Sequence, residues 1–370
     1  VTTEQPNEGS VQGRLESMRT AVSARVLASF DEVMRQHASI GAEIEPFGTV
    51  AGSLLPGGKR LRAGFALAGW TAFGGDEGDP AGIAAGAGVE LFQMAALVHD
   101  DVIDDSLTRR GVAAAHQQLA ELHRASGFTG NATRFGASGA ILLGDLLLVA
   151  AVRELNRAVA GLDTGARARA DHLVTDMMAG VTLGQYLDIH AQAAPWTDEP
   201  AVMLDRAERV LRAKAARYSV EQPLCLGAAM AGADASGLER CAAIGLPIGE
   251  AFQLRDDLLG VFGDEAVTGK PAADDLREGK RTVLVAIALE RAPAAHAQRL
   301  RSWLGDPALT ADQVEQLREL IRATGAVEAV EAMIGRRTEA GLAALEDAAI
   351  EPEAAALLHA LAAAAVSRSA

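Results

Sequence analysis

Val89-Glu90-Leu91-Phe92-Gln93-Met94-Ala95-Ala96-Leu97-Val98-His99-Asp100-Asp101-Val102-Ile103-Asp104-Asp105, residues 89–105, runs a mostly apolar stretch into four carboxylates. The stretch reads as a helix, which sets Asp100 and Asp104 one turn apart on one face. Four acids this close repel each other and raise each other's pKa unless a cation intervenes. An all-oxygen set suits a hard cation, Mg²⁺ before zinc. A solvated acidic helix end is the plain alternative. Such ends favour a helix N-terminus, however, and these acids follow a long apolar helix.

The rest of the composition agrees with helices. Of 370 residues 49% are hydrophobic, enough for a sizeable core, but only 4% are aromatic. Ala and Leu dominate and strand formers are scarce, so the expected class is all-α. The net charge of −15 excludes a general nucleic-acid footprint. Cys225 and Cys241 have no zinc or CxxC spacing and read as buried thiols of a cytoplasmic protein. Residues 1–12 read as a disordered tail, polar at its start and without signal-peptide pattern, and 13–370 as one domain. The apolar run 141–152 is too short for a bilayer and contains Asp145, so no membrane span is expected. Pro/Gly clusters at 55–58, 74–80, 194–200 and 263–279 break the helices, and 124–137 reads as a loop.

A second acid cluster, Gln253-Leu254-Arg255-Asp256-Asp257, also follows an apolar helix. Two such pairs, facing each other across a bundle cavity, make a polymetal site for a diphosphate. Gly57-Gly58-Lys59-Arg60-Leu61-Arg62 puts three cations at a Gly-led helix start suited to phosphate, although no Walker spacing is present. Arg109-Arg110-Gly111 follows the first acids, and Lys270 and Lys280 flank the loop after the second. Arginine forks bind diphosphate oxygens bidentately. Each cation alone is ordinary surface charge; together, in an acidic chain, they indicate a diphosphate site.

Over roughly residues 20–350 these features resemble the trans-isoprenyl diphosphate synthases, the geranylgeranyl type included. Asp100-Asp101-x-x-Asp104 is similar to the family's first aspartate-rich motif and Asp256-Asp257 to the second. The matches extend to Gly184-Gln185-x-x-Asp188, Lys214, Gly269-Lys270-Pro271 and Gly279-Lys280-Arg281-Thr282. The resemblance implies a helical isoprenoid-synthase bundle around a central cavity, working as a homodimer. The homodimer expectation also rests on an apolar surface around 81–98 and 139–152.

By the same resemblance, Lys59, Arg62, Gln93 and Arg110 hold isopentenyl diphosphate. Asp100, Asp104 and Asp256 bind three Mg²⁺ on an allylic diphosphate (dimethylallyl, geranyl or farnesyl), helped by Arg109, Lys214, Lys270 and Lys280. Developing negative charge needs those metals and cations, and the allylic cation needs a dry cavity with a few dipoles, here Gln185 and Gln253. Lys214, Gln185, Gln253 and Arg109 are the expected catalytic groups. Two positions depart from the pattern: Gly260 replaces the third Asp of the second motif, and Ala215 replaces the Thr after the helix Lys.

A class I terpene cyclase shares the first motif but has no use for an isopentenyl site. A non-catalytic subunit loses the first-motif acids, which this chain keeps. The resemblance puts the product-chain floor at Ala95 and Ala96, with Phe92 a turn lower. That predicts a twenty-carbon geranylgeranyl product, or longer chains if Phe92 points away.

Overall fold

The computed structural model describes residues 10–197, 199–263, 273–348 and 350–367. The chain is helical almost throughout, and among the described residues extended structure is confined to β1 (Thr108–Arg109) and β2 (Val112–Ala113). The fold gathers into two compact units, one of residues up to 170 with 226–233, the other of 171–225 with 234 onward. Two of the crossings fall inside helices, which is why no linker is legible in the sequence.

The first unit contains α1 (Val11–Gln36), α2 (Glu45–Leu54), α3 (Leu61–Ala72), α4 (Pro80–Ile103), α5 (Ala115–Ala125) and α6 (Ala132–Ala158). α1 is capped by Ser10, whose Oγ accepts from Gly13 N–H at 3.1 Å. Val11 and Gln12, the end of the expected tail, are therefore helical; residues 1–9 lie outside the described residues.

α4 is the axis of this unit and packs antiparallel on α6. Glycine sets the approach at both ends of the contact. A Cβ on Gly88 would lie 2.7 Å from Leu155 Cγ, and one on Gly144 would strike the His99 ring. Val22, Val26, Phe30, Phe65, Leu91, Met94, Leu143 and Leu147 fill the core. Each contributes roughly 1.5–3 kcal/mol on burial.

Two expectations change here. The loop 124–137 shrinks, because Asn131 caps α6 by accepting from Arg134 N–H at 2.9 Å and 132–137 are helical. The apolar run 141–152 lies within a helix of 27 residues, so α6, like α4, is long and apolar enough to cross a bilayer. For α4 that reflects a core helix, with 78% of its apolar window buried against 39% for α6.

The second unit begins within α7 (Thr164–Ala193) and continues through α8 (Pro200–Val210) into a π-helical stretch, Leu211–Glu221. α9 (Gln222–Met230) follows, belonging to the first unit from 226 on, and the chain returns to the second in the long α10 (Ala235–Phe262). The remaining helices are α11 (Asp274–Glu278), α12 (Val283–Arg291), α13 (Ala294–Trp303), α14 (Ala311–Ala323), α15 (Ala326–Asp347) and α16 (Pro352–Val366).

α10 is the axis of this unit. Its Leu254, Leu258 and Val261 join Leu284, Ile287, Leu317, Ile321, Val330 and Ile334 in one core. On its other side Gly245 and Gly249 sit on the π-stretch backbone: a Cβ on Gly245 would lie 2.7 Å from Glu221 Cα. Pro223, two residues past the stretch, has no N–H to donate. The Gln222 N–H instead reaches back five residues to Arg217 O.

Candidate active site

The first acid cluster ends α4. Asp100 lies in its last turn, Asp104 is its C-cap, and both are half-buried. Asp101 is turned inward, 1% exposed, and Arg109 Nε donates to its two oxygens at 2.9 and 3.1 Å. Arg109, expected on the allylic diphosphate, is thus in this structure the partner of Asp101. Asp100 and Asp104 stand at the negative end of a 24-residue helix. Carbonyl ends and carboxylates add there, so the place favours a cation.

β1 and β2 form a hairpin with Arg110 and Gly111 at its turn, both at positive φ (54° and 78°). A type I′ turn needs that backbone pair, but a non-glycine residue is uncommon in it. The turn lays the Arg110 guanidinium on Gly58, where a Cβ would lie 3.1 Å from Nη2. Arg110 Nη1 also donates to Leu54 O and Pro56 O, each at 3.3 Å. Burial pushes the Arg110 pKa below its ordinary value, and the guanidiniums of Arg60, Arg109 and Arg62 push the same way.

Arg60 is buried and left-handed (φ 51°) and donates to Leu55 O at 2.6 Å, Ser23 Oγ at 3.1 Å and Glu90 Oε2 at 3.4 Å. Glu90 also accepts the Ala63 N–H at 3.2 Å, so a carboxylate already takes one donor of the helix start expected to bind phosphate. Lys59 is exposed, Arg62 half-buried, and Gln93 buried one turn beyond Glu90. Sequence reasoning missed Glu90; its only signal was a lone acid within the apolar run. Phe92 and Ala95 are buried and Ala96 is half-buried. Ala96 is one turn before Asp100 on its face, while Ala95 shares the stripe of Gly88 and His99 that meets α6.

The second unit carries the other residues. Lys214 lies in the π-helical stretch and its Nζ donates to buried Asp188 of α7 at 2.7 Å. Gly184 permits this approach, since a Cβ there would overlap the Lys214 backbone. Gln185 is half-buried on the same helix. On α10, Asp256 is half-buried and Asp257 buried. Gln253 Nε2 donates to Asp257 Oδ1 at 2.8 Å, although its amide was expected to serve the allylic cation.

Burial, against the lowering hydrogen bond from Gln253 and with the charges of Asp275 and Asp256, raises the Asp257 pKa to about 8. The space a side chain at Gly260 would take is filled by the Asp275 carboxylate. Asp275 in turn stands 3.4 Å from Lys280 Nζ. Ala215 is buried and Lys270 lies outside the described residues.

Among the described residues no three His, Cys, Asp or Glu side chains converge as a ready-made metal cage. The donor set still fits Mg²⁺, which binds through one or two carboxylates together with substrate phosphates rather than in an all-protein cage.

An all-helical fold with an acid pair late in the long axial helix of each unit, and a guanidinium cluster in the first unit, fits a class: enzymes that handle diphosphates. The polyprenyl synthetase family model matches residues 45–321. The chain is 32% identical to the geranylgeranyl diphosphate synthase of Mycobacterium tuberculosis over 335 residues, 87% of each chain. It is 30% identical to the nonaprenyl diphosphate synthase of the same organism, over 72% of this chain and 70% of that one. Among solved structures it resembles the geranylgeranyl pyrophosphate synthase of Corynebacterium glutamicum complexed with isoprenyl diphosphate and magnesium. There the TM-score is 0.89 at 40% identity, covering 96% of this chain and 99% of that one. The chain belongs to the polyprenyl synthetase family and is a trans-type prenyltransferase.

Proposed function

We propose that this enzyme joins isopentenyl diphosphate to an allylic diphosphate (dimethylallyl, geranyl or farnesyl), releases diphosphate, and makes geranylgeranyl diphosphate as its main product. The observation that carries the reading is the Arg110 guanidinium, seated on Gly58 among Arg60, Arg62 and Arg109 in a chain of net charge −15. So many cations gathered in an acidic protein call for a polyanion.

In this reading Lys59, Arg62, Gln93 and Arg110 hold the isopentenyl diphosphate. Asp100, Asp104 and Asp256 are the ligands of three Mg²⁺, which when bound draw negative charge off the departing diphosphate. Lys214, Lys270 and Lys280 add fixed positive charge for the same diphosphate. Asp188 keeps the Lys214 ammonium in place. Arg109 fixes Asp101, so the chain keeps its direction through the acid cluster. Gln185 and Gln253 present amide dipoles to the allylic cation, with a dry cavity excluding water. The protein works as a homodimer in the cytoplasm and needs neither nucleic acid nor a membrane span.

Product chromatography after incubation with isopentenyl diphosphate and each primer tests the whole reading. A twenty-carbon diphosphate made only when Mg²⁺ and both substrates are present supports it. Turnover in excess EDTA, or conversion of an allylic diphosphate without isopentenyl diphosphate, overturns it.

A further inference from the structure

Arg281 lies between Lys280 and Thr282, and all three side chains are committed. Lys280 Nζ pairs with Asp275 at 3.4 Å and with Glu278. Thr282 caps α12, its Oγ accepting from Val285 N–H at 3.4 Å. Arg281 reaches to α7 instead. Its Nη1 donates to Ala194 O and its Nη2 to Gln192 O, both at 2.7 Å. Those carbonyls belong to the C-terminal end of a 30-residue helix, where the backbone is electronegative.

The guanidinium also lies over the Trp196 ring, 3.8 Å from its centroid, which holds the fork flat against the chain leaving α7. Arg301 also holds this segment, donating to Thr197 O at 3.3 Å. A planar fork on two carbonyls and a stacked face fix a guanidinium in position and orientation. A lysine at the same place would make one flexible contact.

We propose that Arg281 is a positioning residue for Lys280: its fork on the end of α7 fixes the Lys280 ammonium where the diphosphate is held. This rests on the reading of Lys280 as a diphosphate-binding cation. Arg281 acts here through its neighbour: two of its N–H donors hold Ala194 O and Gln192 O and its face lies on Trp196, so its head is turned to the end of α7. The segment 280–282 then combines a charge, a tether and a helix cap in three consecutive residues.

The experiment is titration calorimetry of inorganic pyrophosphate with Mg²⁺ on the full chain. It compares Lys280→Ala, Arg281→Ala, Arg281→Lys and the double variant Lys280→Ala/Arg281→Ala, with melting temperatures alongside. Arg281→Ala is expected to weaken pyrophosphate by about tenfold, as a misplaced rather than missing charge does. Arg281→Lys should recover part of that, and the double variant should bind no worse than Lys280→Ala. Equal losses from Arg281→Ala in the wild-type and Lys280→Ala backgrounds would show that Arg281 acts independently, and the proposal falls. Wild-type affinity in Lys280→Ala would remove the underlying reading of Lys280 instead. If Arg281→Ala does not fold, Arg281→Lys against Lys280→Ala/Arg281→Lys completes the same cycle.

Discussion

Gly58 has φ 84° and carries no side chain where the Arg110 guanidinium lies. A methyl there meets two penalties, the left-handed backbone and the close approach of Nη2 at 3.1 Å. Gly58→Ala should displace Arg110 and raise KM for isopentenyl diphosphate by about tenfold, the equivalent of ~1.4 kcal/mol. KM for the allylic substrate should change little; steady-state kinetics with each substrate varied in turn is the check. Gly260 poses the opposite problem, because the space the family's third Asp would use belongs to Asp275. Gly260→Asp is therefore expected to lower kcat/KM despite restoring the motif, by forcing two carboxylates into one volume. An increase in kcat/KM would show that Asp275 yields without loss. At the first cluster, Asp100→Ala or Asp104→Ala should lower kcat by about 10²-fold or more, the scale for losing one stabiliser of transition-state charge.

The contact of α4 with α6 joins the site to a buried ion network centred on Glu154. Glu154 of α6 is fully buried and accepts from Arg25 Nε and Nη2, each at 2.7 Å, from Ser29 Oγ at 2.9 Å and from Arg157 Nη1 at 2.6 Å. Burial works to raise its pKa, but the hydrogen bonds from Arg25 and Ser29 outweigh it and the pKa is lowered. A carboxylate whose folded pKa is depressed adds stability above its unfolded pKa and loses it as pH falls through the folded value. Glu154→Gln should cost about 2 kcal/mol at pH 7, in line with losing charged hydrogen bonds. The gap from wild type should narrow as pH falls below about 4.3, the ordinary carboxylate value. Urea melts across that range measure it. The same helix pair bears on product length. Ala96 lies one turn before Asp100, a rise of about 5.4 Å. Ala96→Phe should shorten the main product to farnesyl diphosphate, and an unchanged product would place the floor elsewhere.

At the scale of the molecule, α6 shows solvent a row of large apolar side chains. Leu142 and Val149 are 57% and 58% exposed, with Ile141 and Val152 beside them. Of the two stretches expected to supply an association surface, 81–98 is mostly buried within its own unit and only α6 offers one. Isolated exposed hydrophobics are ordinary, whereas several on one helix face favour protein contact. Light scattering is expected to give twice the 38.3 kDa chain mass. Leu142→Glu/Val149→Glu should yield monomer, and a stable wild-type monomer at micromolar concentration would refute the homodimer.

Composition and spacing were enough to specify the helical class, the two acid clusters and the cations near them in the chain. Each is a local property: helix formers without strand formers, acids one turn apart, charge against the run of the chain. Local rules also misplaced some boundaries, reading 132–137, the start of α6, as loop. Tertiary structure decided which member of each acid pair faces inward. Asp101 is taken by Arg109, and Asp257 is buried and bonded to Gln253. It decided that Arg110 rests on Gly58, 52 positions away, and that Asp275 fills the space at Gly260. It decided as well that Glu90 anchors Arg60 and the start of α3. These pairings join residues distant in sequence, and whether a charged side chain is buried, paired or available depends on what packs against it. No local pattern carries that.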